Sequence, residues 1–217
     1  LWLLFVLGFL AQYLYFIIYI YIEILNMGDS QDEWFTICDE KNIVLKKNDE
    51  NMYKIIFSIN VKNNEDTVLN VLKNGQLFEL LSALNPDVIE KVDENERDGG
   101  IYDIFISFKN STTNSNHVDE LDKVVNAFFS IKYLFSKNKC VIESQNCGND
   151  IENQNAKMKN GKEFIHVSKI KLVTIEMSNK TSMCLTFKVD KKVSNIINMY
   201  IGLYFKKIFH RFKQYFE

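Results

Sequence analysis

Three histidines and four cysteines are the side chains of this 217-residue chain best suited to nucleophilic, acid–base or metal chemistry. His117, His166 and His210 stand apart, none within an H-E-x-x-H arrangement and none beside a cysteine it could activate. Cys38, Cys140, Cys147 and Cys184 form no C-x-x-C pair, and the spacing of Cys140 and Cys147 does not make a zinc knuckle. They read as reduced, structural cysteines of a reducing compartment. The acids Asp93, Glu94, Glu96 and Asp98 lead into Gly99-Gly100 without the bidentate Glu that an EF-hand loop requires, so a solvated turn is expected. Asp119 and Glu120 fall on an expected exposed helix face. The phosphate-cradling and nucleophile-elbow motifs G-x-x-x-x-G-K-[ST], G-x-G-x-x-G and G-x-S-x-G are absent. No catalytic, cofactor-binding or metal-ligating residue is therefore assigned, and the expectation is a protein that is not an enzyme.

Charge and composition narrow the classes further. A net charge of −2 gives no electrostatic footprint of a dedicated nucleic-acid binder. With 17 Phe and 10 Tyr the chain can build a sizeable core, and one Pro with 8 Gly excludes a Pro/Gly-rich low-complexity class. Basic residues concentrate near the C-terminus, where Lys206, Lys207, Arg211 and Lys213 lie among Phe205, Phe209, Phe212, Tyr215 and Phe216. A basic amphipathic helix of this kind can lie on a membrane or bind calmodulin. Packing on a sheet or a subunit, with the cations complementing the helix C-terminal dipole, is the expectation. The sequons at Asn110 and Asn179 are what an Asn-rich chain yields by chance.

Leu1 to Ile22 holds one strongly polar residue, Gln12, and the first charge is Glu23. At about 1.5 Å per residue such a run can cross a bilayer core of roughly 30 Å. No Lys or Arg flanks it to set an orientation, and a signal peptide's basic start and small-residue cleavage site are missing. Met27-Gly28-Asp29-Ser30 would be an ordinary start, although Asp32 occupies the position where myristoylation needs Ser or Thr. Residues 1–26 are either a membrane anchor or a gene-model extension.

The elements that must position everything else follow from periodicity. Trp34–Cys38 and Ile43–Lys46 read as short strands around the turn Asp39-Glu40-Lys41-Asn42, and Tyr53–Val61 alternates as a half-buried strand. Asp66–Leu84 has helical spacing, with Gly75 as a kink or split and Asn85-Pro86 as its end. Ile101–Phe108 is the next strand, and His117–Asn138 is an amphipathic helix. A polar stretch follows, then strands at Phe164–Val167, Leu172–Met177 and Met183–Val189, and a last helix over Lys191–Phe216. The expected architecture is α+β: a first module of mixed or antiparallel sheet and helices over 27–143, a linker over 144–161, and a related, incomplete module over 162–217.

Several segments carry a resemblance to a known family. Lys54-Ile55-Ile56-Phe57-Ser58-Ile59, Tyr102-Asp103-Ile104-Phe105-Ile106-Ser107, Val124-Val125-Asn126-Ala127-Phe128-Phe129, Glu163-Phe164-Ile165-His166-Val167, Ile175-Glu176-Met177 and Met183-Cys184-Leu185-Thr186-Phe187 come in a characteristic order. That order resembles the larger homologous core subunit of the actin-related protein 2/3 complex (subunit 2), with the smaller homologue (subunit 4) a close competitor. The resemblance implies a cytoplasmic, cytoskeletal scaffold for actin filament nucleation. Its partners would be the smaller core subunit, the actin-related proteins and the mother actin filament, with partner-binding residues unassigned. The alternative is a single-pass membrane-anchored protein with a soluble, partner-binding domain.

Overall fold

A computed structural model describes residues 33–61, 67–109, 126–145, 164–189 and 195–217. Trp34–Glu217 is a unit of its own, distinct from Leu1–Glu33. The hydrophobic run 1–26, residues 146–161 of the expected linker, His117, Cys147 and the Asp119-Glu120 pair lie outside the described residues.

Strands β1 (Phe35–Glu40) and β2 (Ile43–Lys47) meet at a turn in which Lys41 and Asn42 take φ of 53° and 61°. Two successive positive φ values give a tight turn whose twist matches that of the paired strands. Strand β3 (Met52–Asn60) follows the expected alternation, with Tyr53, Ile55, Phe57 and Ile59 all at most 2% exposed. The helical stretch splits as expected at Gly75 (φ 68°), into α1 (Val68–Lys73) and α2 (Leu77–Leu84). The Thr67 hydroxyl caps α1 by accepting from the Asn70 amide at 3.2 Å. Fully buried Asn85 closes α2, its Nδ2 donating to the Leu81 carbonyl at 2.9 Å.

Strands β4 (Ile89–Arg97), β5 (Ile101–Phe108), β6 (Asn126–Ser136), β7 (Lys139–Ser144), β8 (Phe164–Met177) and β9 (Lys180–Val189) complete the sheet, and α3 (Asn195–Phe216) ends the chain. Among the described residues the sheet has nine strands in the order β1-β2-β3-β9-β8-β7-β6-β5-β4. Neighbours pair antiparallel, apart from a short parallel contact of Asn126–Phe128 with Phe164–His166.

This architecture corrects the expected pair of α+β modules. Strand β9, assigned to the second module, hydrogen-bonds to β3 of the first along nine residue pairs, so one sheet runs through both halves. A single apolar cluster spans β2 through α3. The helix expected over His117–Asn138 is corrected as well, because Asn126–Ser136 is strand β6. Ala127, Phe129, Ile131 and Tyr133 point to one face at period 2, and Phe128, Ser130 and Lys132 to the other. Apolar residues on both faces made the segment look like a broad helical stripe, while its aromatic and β-branched residues favour the pleated form. The acidic stretch expected as a turn is mostly edge strand β4, whose exposed Asp93, Glu94 and Glu96 put charge on an open sheet edge.

Candidate ligand cavity

Inward-facing side chains of six strands and two helices surround a cavity of about 140 Å³. Helix α2 contributes Leu77, Phe78 and Leu81, and α3 contributes Phe205, Ile208 and Phe209. The sheet supplies Ile89, Val92, Ile106 and Phe108 from β4 and β5, then Ala127, Phe129 and Ile131 from β6. Ile142, Val167, Ile170, Leu172, Met183, Leu185 and Phe187 complete the wall. Every one of these residues is apolar. A register shift between Ser168 and Lys171, with Lys169 at φ 50°, changes which residues of β8 face inward. Val167 faces the cavity before this bulge, and Ile170 and Leu172 face it after.

Helix α3 is seated by aromatic contacts. Phe205 packs on Phe187 with ring centroids 5.0 Å apart, and Phe209 on Phe57 at 5.1 Å. Phe212 is fully buried, and Phe216 meets it edge-on at 5.1 Å. The basic residues of α3 have defined partners: Lys206 pairs with Glu40 of β1, while Lys207 and Arg211 both pair with Asp87 in the α2–β4 connection. These two cations hold the Asp87 carboxyl well below the usual carboxylate range. The expectation that this helix packs on a sheet is met by these contacts, which place its aromatic side on the sheet and its cations on Glu40 at the end of β1 and on Asp87.

One end of the inward face carries buried polar atoms. The Tyr133 hydroxyl, the Thr174 and Thr181 hydroxyls and Glu176 Oε1 are buried without a hydrogen-bond partner among the described residues. Thr174 opposes both Cys140 and Met183, and Glu176 opposes Thr181, so Thr174, Glu176 and Thr181 adjoin on β8 and β9, while Tyr133 stands on β6 opposite Ile142. Burial raises the Tyr133 hydroxyl above its ordinary range and pushes the Cys140 thiol up to about 12. A thiol so protonated is inert as a nucleophile. The opposite face is tied by Asp103, which pairs with Arg97 at 2.8 Å and accepts from Ser130 Oγ at 2.5 Å.

The side chains first weighed for chemistry are not brought together. The backbone of His166 lies in β8, and its side chain is outside the described residues. His210 sits on α3, where Lys41 Nζ donates to its Nε2 at 3.2 Å. Burial and then the positive charges of Lys41 and Lys213 lower its pKa, which keeps the ring neutral near pH 7. Among the described residues no three of His, Cys, Asp and Glu group as metal ligands. The sequence reading missed the cavity itself. Its signal was the inward parity of β6, which shows only once Asn126–Ser136 is recognised as a strand.

No family model and no curated protein matches the sequence. Solved structures match in fold. Human StAR-related lipid transfer protein 5 superposes with a TM-score of 0.64 at 8% identity, over 95% of this chain and 96% of that chain. The lipid transfer and protein localization domain of human StarD13 gives 0.53 at 12% identity, over 85% and 89%. A STAR-related lipid transfer protein fragment from Xanthomonas axonopodis gives 0.51 at 8%, over 83% and 94%. At these identities the likeness is one of fold. It overturns the resemblance to subunit 2 or subunit 4 of the actin-related protein 2/3 complex, and with it the actin-nucleating role, the actin filament and the core-subunit partners. That resemblance rested on apolar strand patterns, which any sheet buried on one face repeats. The likeness gives the membrane-anchored alternative no support either: among the described residues no helix is long and apolar enough to cross a membrane, and the run Leu1–Ile22 on which that alternative rests lies outside them.

Proposed function

We propose that this chain is a non-catalytic carrier that encloses an apolar ligand, a lipid or the hydrocarbon part of one, between its sheet and helices α2 and α3. The cavity carries this reading: among the described residues it is lined by apolar side chains alone, and it sits where a well-packed protein would have none. The proteins that share the fold are named for lipid transfer, which supports the same class of ligand. Size sets a further condition. A cavity of about 140 Å³ matches the space that takes one benzene ring, well short of the roughly 300–1,000 Å³ of common ligand pockets. A whole lipid therefore enters only if α2 or α3 moves away from the sheet.

The buried hydroxyls of Tyr133, Thr174 and Thr181 then give the ligand's polar end hydrogen-bonding partners that the apolar wall lacks. Native mass spectrometry of the purified chain, followed by lipid extraction, tests the reading. A bound lipid at a fixed stoichiometry of one is expected. A chain that stays free of lipid after incubation with mixed vesicles would overturn it.

A further inference from the structure

The β6–β7 hairpin ends in a tip that the cavity does not use. Leu134 and Phe135 are each 45% exposed, although both are large and apolar. They are consecutive in a strand, so they point to opposite faces of the hairpin. Lys137 stands exposed in the turn, and Lys139 follows as the first residue of β7. The β8–β9 turn adjoins, because the Glu176 amide donates to the Asn138 carbonyl at 2.8 Å, and exposed Lys180 follows it as the first residue of β9. Glu176 of the adjoining β8 has its Oε1 buried, while Phe135 stacks on Tyr133 at 6.0 Å, and Tyr133 meets Tyr102 edge-on at 5.3 Å on the side where Glu94 and Glu96 lie.

From this arrangement we infer that the β6–β7 tip inserts into the interface of an anionic bilayer. Geometry favours a bilayer over a protein. A rigid partner docking on one face of the hairpin would bury Leu134 or Phe135, whereas a fluid interface surrounds the tip and buries both. The exposed Lys137 and Lys180 suit the same surroundings, their stems lying along the apolar boundary while their ammonium groups meet lipid phosphates or carboxylates. The inference goes beyond the carrier reading: the tip would dock whether or not the cavity is filled, and ligand loading would survive its loss.

The test needs a local signal, because Leu1–Ile22 is itself strongly apolar. Phe135→Trp in the full chain is mixed with vesicles of phosphatidylcholine and phosphatidylserine whose acyl chains carry bromine. The expected result is quenching beyond that of the parent chain, which has only Trp2 and Trp34. Adding Leu134→Ser or Lys137→Glu should each weaken the quenching-derived partitioning by about tenfold. Ligand stoichiometry and melting temperature should not change. Absence of excess quenching with anionic vesicles would overturn the inference. So would equal quenching with and without Lys137→Glu, or a fluorescence change that depends on protein concentration and needs no vesicles, which would mark a protein–protein surface.

Discussion

The cavity has two walls made in different ways. On the sheet side every strand is tied to a neighbour by backbone hydrogen bonds, from β3 against β9 to β4 against β5. The helical wall has no such ladder. Helix α3 rests on the sheet through Phe205, Phe209, Phe212 and Phe216, and its ion pairs reach Glu40 at the end of β1 and Asp87 in the α2–β4 connection. Apolar contacts are non-directional and surface ion pairs are weak, so a helix can leave such a seat as a unit. A strand can leave only by breaking its ladder. On the proposed carrier reading the sheet is the rigid wall and the helices are the way in for the ligand.

The most severe way to break the helical wall is to remove its most buried anchor. Phe212→Ala should cost about 3–5 kcal/mol, read from the denaturation midpoint at unchanged slope. A loss below about 1 kcal/mol would mean that α3 contributes little to the fold. Native-state hydrogen exchange sharpens the contrast without mutation. Amides of Tyr204–Phe216 should open at a lower free energy than those of Tyr53–Ile59, and bound lipid should close the gap. Equal protection would show that both walls open only with global unfolding.

Titration gives a smaller effect. His210 has a pKa below its ordinary value in the folded chain, so its contribution is complete above about pH 6.5 and is lost as pH falls through the lowered value. Acidification from pH 7.5 to 5.5 should destabilise the α3–β1–β2 junction, and His210→Gln should remove that component of the pH dependence. Smallest of all is Asp87→Asn. Asp87 is 45% exposed and screened, so stability should fall by under about 1 kcal/mol, while α3 amides exchange faster and lipid leaves sooner. The Asp87 contribution is complete above the ordinary carboxylate range and is lost as pH falls from that range through the lowered folded value.

Local structure was legible where one periodicity dominated. Tyr53-Ile55-Phe57-Ile59 announced β3, Gly75 the break between α1 and α2, and the Phe-rich C-terminus the helix α3. Strand β6 was illegible because Phe128 and Leu134 fill the face that alternation leaves polar, and β4 because an edge strand is charged for the same reason a loop is. Sheet order was beyond reach. Nothing in Met183-Cys184-Leu185-Thr186-Phe187 says that its partner is β3 rather than a strand of its own half, since the contact closes over more than a hundred intervening residues. The cavity followed the same fate, being a property of how β6 and α3 face one another.

The central claim is that the ligand occupies the space between these walls, and Ala127 offers the most direct test. Its small side chain lines the cavity and is 8% exposed. Ala127→Phe should fill the space with the fold intact. Titrating parent and variant with a fluorescent acyl-chain lipid should show saturable binding by the parent and at least tenfold weaker binding by the variant. Equal affinity in a variant that melts as the parent does would contradict the account, placing the ligand elsewhere on the molecule.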